Sequence, residues 1–327
     1  MLYASNMSSP SLPHLTQARA PLTFETVAVN EFGESTPISI PAERALTVYV
    51  DRRELVTLMT LGANPELLVL GFLRNQRLIN SVQDIESITV DWGVSAAAVK
   101  TRQGIADIEA KTSKRVVTTG CGQGSVFGDL MGDIDSIVLP QASITQSQLY
   151  GIVSAIRLKE STYKSAGSVH ACALFRGEEL LMFVEDVGRH NAIDTIAGWM
   201  WMQEEFPVPP GGAPAGPGMT SADKIFYTTG RLTSEMVIKS AQMGVPIVVS
   251  RSGITQMGHA VAQRLGLCAI GRATHKHFLC YSGARRLVMQ PELAGTRLRT
   301  EAPRASPHPS PPQGEGASQQ KSSPPVD

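Results

Sequence analysis

From Ser143 to Arg272 the chain alternates short apolar runs with segments of helical period. Leu149, Ile152, Val153 and Ile156 fall at i, i+3, i+4 and i+7, the spacing that lays one stripe of a helix on a core. SVHACALF, LLMFV, KIFYTT, PIVVS and CAIGR have strand character, and helices are predicted from about Asn191, over LTSEMVIKSAQM and over TQMGHAVAQRL. Gly244 and Gly266 stand where helix C-caps belong. Strands and helices alternating at this length predict a helix-covered, mainly parallel sheet. Between Leu22 and Leu139 the pattern is shorter and β-rich. There ISIPAERALTVYVD and ESITVDWGVSAAAVKT read as strands, and NPELLVLGFLRNQRLI reads as a helix with Pro65 in its first turn.

The fold class expected is therefore α/β, with a β-rich N-terminal subdomain over residues 22–142 and an α/β domain over 143–290. Residues 1–21 and 302–327 are rich in Pro, Ser, Gly and Gln and poor in large apolar groups. Such segments cannot bury enough surface to offset the entropy of ordering, so both are expected to be disordered tails. The Pro/Gly-rich insertion at 207–218 is expected to loop out between a helix and a strand.

Composition narrows the function. The 327 residues are 42 % apolar and 18 % charged with a formal net charge of zero, without the basic excess of a nucleic-acid or membrane-surface binder. No run approaches the roughly 18 to 20 apolar residues that span a bilayer, and the N-terminus has no apolar signal core. The cysteines at 121, 172, 268 and 280 have no paired metal spacing and are too few for a disulfide scaffold. A cytoplasmic globular protein with no nucleic acid and no membrane partner is expected, and no metal site.

The chemistry gathers at strand ends. LLMFV runs straight into a loop carrying Glu185, Asp186, Arg189, His190 and Asn191, and a helix follows at once. A strand that empties charges onto a helix start builds a ligand site at the carboxyl edge of a sheet. The same grammar recurs as GRLTSE after KIFYTT, RSGITQ after PIVVS and RATHKH after CAIG. Arg189, Arg231, Arg251 and Arg272 thus all fall at strand ends, with hydroxyls and helix N-termini beside them, a combination suited to phosphate. Individual arginines could instead pair with Glu185, Asp186 or Glu235. His275 could add to the anion site or simply be solvated.

Cys121 stands in RVVTTGCGQGSVFGD, a Gly-x-Gly-x-Gly loop after a strand-like run. Glycine amides can form a nest for an anion, and a thiolate is an anion, so the loop could hold an exposed, reactive sulfur. A plain linker with an incidental cysteine is the competing reading. A dinucleotide-binding turn fails because Phe127 stands where G-x-G-x-x-G needs its last glycine. His170 and Cys172 tempt a zinc deaminase reading, but no H-x-E and no later P-C-x-x-C occur. A strand histidine and a buried cysteine are the simpler reading.

EDVGRHNAID, GRLTSEMVIKSAQMGVPIVVSRSGIT and LGLCAIGRA together resemble the FdhD/NarQ-like formate dehydrogenase accessory sulfurtransferase family, over roughly Leu22 to Gly283. The resemblance implies a second half similar to the cytidine deaminase fold without its zinc chemistry. It also implies a sulfur carrier that takes persulfide sulfur from a cysteine desulfurase. That sulfur would pass to a molybdenum bis(molybdopterin guanine dinucleotide) cofactor, bound as cargo, to activate formate dehydrogenase. It places the persulfide on Cys121 and the cofactor on the segment Ile270, Gly271, Arg272, Ala273, Thr274 and His275, and it suggests a homodimer. Many members carry a second loop cysteine where this chain has Gly124, and the family's T-G-G before the strand histidine is Ala166-Gly167-Ser168 here. One thiol suffices for relay by thiol exchange. Two other readings stay open, a cofactor-binding chaperone without thiol chemistry and a nucleotide- or phosphosugar-dependent enzyme.

Overall fold

The β-rich first half folds as strands β1 (His14–Leu15), β2 (Thr23–Val29), β3 (Ser35–Pro41), β4 (Arg44–Val50) and β5 (Arg53–Thr60), helix α1 (Pro65–Asn75), and strands β6 (Ile85–Asp91) and β7 (Ala96–Thr101). A computed structural model supplies these elements and describes residues 12–105, 134–159, 161–205 and 223–294. ISIPAERALTVYVD divides into two strands because Ala42 and Glu43 break it, and ESITVDWGVSAAAVKT divides around a turn at Trp92–Ser95. A five-stranded sheet runs in the order β1-β6-β7-β4-β5, while β2 and β3 form a separate hairpin. Residues 12–21, expected to be disordered, are instead part of the fold. His14 and Leu15 pair with Ser87 and Ile88, and the Glu66 carboxylate accepts from the Thr16 hydroxyl and the Ala18 amide, both at 2.7 Å. Composition missed this because one buried carboxylate at a helix start anchors an otherwise polar segment. Cys121 and its loop, the 207–218 insertion and the tail at 302–327 lie outside the described residues.

The second half continues with β8 (Ile144–Thr145), helices α2 (Gln146–Leu158) and α3 (Thr162–Ala166), β9 (His170–Arg176), β10 (Glu179–Asp186), α4 (Arg189–Glu205), β11 (Lys224–Thr228), α5 (Ser234–Gln242), β12 (Ile247–Ser250), α6 (Gln256–Leu265), β13 (Cys268–Thr274), β14 (His277–Ser282) and β15 (Leu287–Val288). Threonines cap three of the helices: Thr145, Thr233 and Thr255 each accept a backbone N–H of the first turn. Gly244 and Gly266 take positive φ just past α5 and α6, as their positions predict.

The main sheet has the order β10-β9-β11-β12-β13-β14. It is mixed rather than mainly parallel: only β11–β12 and β12–β13 pair in parallel. β9–β10 and β13–β14 are hairpins turning at Gly177–Glu178 and His275–Lys276, and β9 also runs antiparallel to β11. A two-residue turn can only return a strand antiparallel, whereas a parallel neighbour needs a crossover, which α5 and α6 supply. α2 covers one face, where Leu149 and Ile152 join Ala173, Phe175, Ile225 and Val249. α4, α5 and α6 cover the other, with Ile193, Met236 and Ala262 beside Leu174, Phe226 and Val248. α4 is buried at every position from 189 to 198, and its Trp201 reaches the core of the first sheet.

Candidate functional site

Strand alternation decides what each sheet-end residue can reach. Phe183 and Glu185 on β10 lie across from Ala173 and Ala171 on β9, and this row continues through Tyr227 and Thr229 on the α2 face. Val184, Cys172 and Phe226 point to the opposite face, into the core under α4. At the carboxyl ends of β10 to β13, on the α2 face, lies a cleft of about 230 Å³. Its walls are Val153, Ile156, Val169 and Phe183, and its cations are Arg157, Lys159, Lys164 and Arg251, with His275 at the end of β13. Thr229 and Thr274 add hydroxyls, and Glu185 is the one carboxylate among the lining residues. Burial pushes the Tyr227 phenol up to about 12, against the pull of nearby Arg251. It therefore stays protonated at neutral pH and can donate to an anion. The cleft is cationic, partly apolar and smaller than the roughly 300–1,000 Å³ of drug-sized sites, a size for part of a larger ligand.

The structure divides the residues singled out in the sequence. Arg251, Ala273, Thr274 and His275 line the cleft together. Arg272 is exposed next to them, with its amide donating to the Ser252 carbonyl at 2.8 Å. Ile270 is sealed in the core, and Gly271 lies under the Tyr281 ring, where a Cβ would come within 2.7 Å of a ring carbon. Both hold β13 in place instead of lining the cleft. Arg189 sits on the other side of the sheet, its side chain packed on Gly230. Burial first, then Arg189 and Arg231, hold the His170 pKa below its ordinary value.

His190 does not face the cleft. It is 2 % exposed, with Nε2 3.1 Å from Glu235 Oε2. The reason is the burial of α4: a helix covered on all sides must satisfy its own polar groups inside the protein. Asp186 accepts from Thr60 Oγ1 at 2.5 Å, from Asn191 Nδ2 at 2.9 Å and from the Gly188 amide at 3.2 Å. Asn191 also donates to the Met59 carbonyl at 2.6 Å. In EDVGRHN, then, Glu185 faces the cleft, Asp186 and Asn191 lock the turn and tie it to the first half of the chain, and His190 meets Glu235 of α5. Periodicity could not separate these roles, because it gives no sign of which loop meets another part of the protein.

The cations Arg157, Lys159 and Lys164 carried no strand-end signature. Arg157 and Lys159 follow the apolar stripe of α2, whose packing on the sheet brings them to the edge, and Lys164 comes from the short helix α3. Cys172 is fully buried, with its thiol 3.4 Å from Thr228 Oγ1 and burial pushing its pKa up to about 12, as a structural cysteine requires. Among the described residues no His, Cys, Asp and Glu side chains cluster as a metal site, and no helix is long and apolar enough to cross a membrane.

The model of the FdhD/NarQ family matches residues 41–288. The chain belongs to the FdhD/NarQ family. The match spans the whole cleft and the Cys121 loop. Among its relatives is the sulfur carrier protein FdhD of Bacillus subtilis, 29 % identical over 247 residues, which are 75 % of this chain and 88 % of the relative. The FdhD protein of Listeria monocytogenes serotype 4b is 28 % identical over 253 residues, 76 % of this chain and 91 % of the relative. The fold is also that of a crystal structure of a formate dehydrogenase accessory protein from Desulfotalea psychrophila, with a TM-score of 0.62 and 22 % identity over 82 % of this chain and all of that one.

Proposed function

We propose that this member of the FdhD/NarQ family is a sulfur carrier in formate dehydrogenase maturation, acting as a sulfurtransferase. The Cys121 thiolate attacks the sulfane sulfur of a cysteine desulfurase persulfide. The desulfurase thiolate leaves, and Cys121 carries the sulfur as its own persulfide. The Cys121 S–S bond then breaks, Cys121 leaves as a thiolate, and the sulfane sulfur passes to a bis(molybdopterin guanine dinucleotide) cofactor bound as cargo at the cationic edge, whose reduced molybdenum would supply the two electrons that make it sulfide. The observation that carries this reading is the cleft beside Arg251 and His275, built in a chain whose relatives are named sulfur carriers. Charge-assisted hydrogen bonds from arginine suit the phosphates of such a ligand. Within this reading the protein works in the cytoplasm as a homodimer, visited in turn by the desulfurase and the dehydrogenase.

The test is complementation of a strain lacking the endogenous carrier. Formate dehydrogenase activity should be restored by the wild-type chain and lost with Cys121→Ala or Arg251→Ala. Gly124, where many members carry a second cysteine, favours one rival: a cofactor chaperone without thiol chemistry. Activity retained by Cys121→Ala but lost with Arg251→Ala would establish that rival instead.

A further inference from the structure

Sulfur transfer through Cys121 leaves three other thiols unused. Among the described residues, Cys172, Cys268 and Cys280 are all free, and the last two stand together on neighbouring strands. Cys268 opens β13, and Cys280 lies on β14, which pairs with β13 antiparallel and is the last strand of the main sheet. The register sets Cys280 across from Ile270 but Ser282 across from Ala269, so Tyr281 is an extra residue bulged out of β14. Side chains alternate along a strand, so Cys268 shares a face with Ile270 and hence with Cys280, its diagonal neighbour. Both pack into the core under α2, where a hydrogen bond joins the two thiols. The Ser282 carbonyl lies 3.3 Å from the Cys280 sulfur on its other side. Their surroundings differ: Cys268 has no exposure, whereas Cys280 is half-buried on an edge strand. The hydrogen bond favours the Cys280 thiolate and, with burial, keeps Cys268 protonated. An accessible thiolate touching a protonated inner thiol is the arrangement of an oxidisable cysteine beside its resolving partner.

We propose that Cys280 and Cys268 form a redox modification site, which peroxide converts to a reversible disulfide within the chain. The Cys280 thiolate attacks one oxygen of hydrogen peroxide, the O–O bond breaks, and hydroxide leaves, giving the Cys280 sulfenic acid. That hydroxide takes up the proton Cys280 had released. The Cys268 sulfur then attacks the Cys280 sulfur, and the S–O bond breaks. The departing hydroxide takes the Cys268 proton and becomes water. Both thiols are oxidised to one disulfide, and the peroxide is reduced to two waters. The bridge ties the edge strand β14 to β13, the strand that carries Ala273 and Thr274 to the cleft. In a reducing compartment such a disulfide is transient and redox-sensing rather than a permanent staple. The site is independent of the proposed function, because neither Cys121 nor the cleft takes part.

Hydrogen peroxide is added to the full chain carrying Cys121→Ala, which removes the thiol outside the pair that would compete for oxidant. Remaining thiols are then alkylated in denaturant, and the chain is mapped without reduction. The monomer should lose two hydrogens, with the Cys268 and Cys280 peptides joined and Cys172 alkylated as a free thiol. Dithiothreitol should restore both thiols. Adding Cys268→Ser keeps the side-chain size but removes the resolving sulfur, so Cys280 should stop at a sulfenic acid that dimedone traps. Cys280→Ser, which alters the half-buried partner and leaves the core thiol in place, should protect Cys268 from peroxide. A Cys280 sulfenic or sulfinic acid that accumulates while Cys268 is present overturns the proposal. So does a bridge between two chains, a Cys280 thiol that peroxide leaves untouched, or oxidation of Cys268 in Cys280→Ser.

Discussion

Lys239 Nζ lies 2.9 Å from Asp194 Oδ2, and neither side chain has any exposure. The pair is the middle of a buried chain: Asn75 donates to Asp194 at 2.7 Å, Lys239 also lies 3.5 Å from Glu235, and Glu235 meets His190. It joins α1, α4 and α5, and so the two halves of the protein. Burial alone would lower the Lys239 pKa, but Asp194 and Glu235 together outweigh it and raise the pKa, so the ammonium stays charged. Lys239→Met, which leaves Asp194 buried without its cation, should cost about 3–5 kcal/mol in urea unfolding. Lys239→Met with Asp194→Leu should recover part of that loss. A single variant as stable as wild type would show the pair to be dispensable.

The same interface is closed by two glycines. A Cβ on Gly71 of α1 would lie 1.7 Å from the Asp194 carbonyl oxygen, and one on Gly198 of α4 would lie 2.1 Å from that of Leu67. Both obstacles are backbone, so the helices must move apart to admit a methyl group. Gly71→Ala should therefore destabilise by about 1–3 kcal/mol or more, although alanine is the better helix former. Thermal unfolding checks this, with Gly93→Ala, which meets only the Asp91 side chain, as the comparison.

The His170 environment sets a pH dependence. Its pKa is depressed in the fold by burial and by Arg189 and Arg231. Below the unfolded value of about 6.5 the unfolded chain binds a proton that the folded chain does not, so stability falls as pH drops from there through the folded pKa. His170→Gln should lose less stability than wild type between pH 7.5 and pH 5 in urea midpoints. Parallel curves for the two proteins would contradict the shift.

The remaining thiols should react in a fixed order. A hydrogen bond from Cys268 pulls the half-buried Cys280 down to about 7, against its burial, and raises Cys268. In a Cys121→Ala background at pH 8, iodoacetamide should label Cys280 well before Cys172, whose thiol stays protonated. Cys268→Ala should slow that labelling, as peptide mapping over time would show.

Local pattern carried much of the fold. The stripe from Leu149 to Ile156, the threonine caps and the helix-ending glycines are written within a few residues of the structure they specify. What failed to show in sequence depends on where the chain returns. The hairpins at Gly177 and His275 turn a parallel expectation into a mixed sheet, although each needs only two residues. His190 reads as a ligand-site residue by position yet turns its Nε2 to Glu235, because α4 is buried on all sides. Arg157 and Lys159 look like ordinary solvated cations at the end of an amphipathic helix until α2 docks beside Arg251. Four strand-end arginines fall at the edge of the sheet where the cleft lies, but only one of them, Arg251, lines it.

Sulfur transfer itself is tested most directly by intact-protein mass spectrometry. The chain is incubated with a cysteine desulfurase and free cysteine, beside a Cys121→Ala control. The account predicts a gain of one sulfur in the wild type, mapped to Cys121, released by reductant and missing from the control. No gain, with the desulfurase shown to be active, would contradict a persulfide on Cys121 and favour the proposal of a chaperone without thiol chemistry.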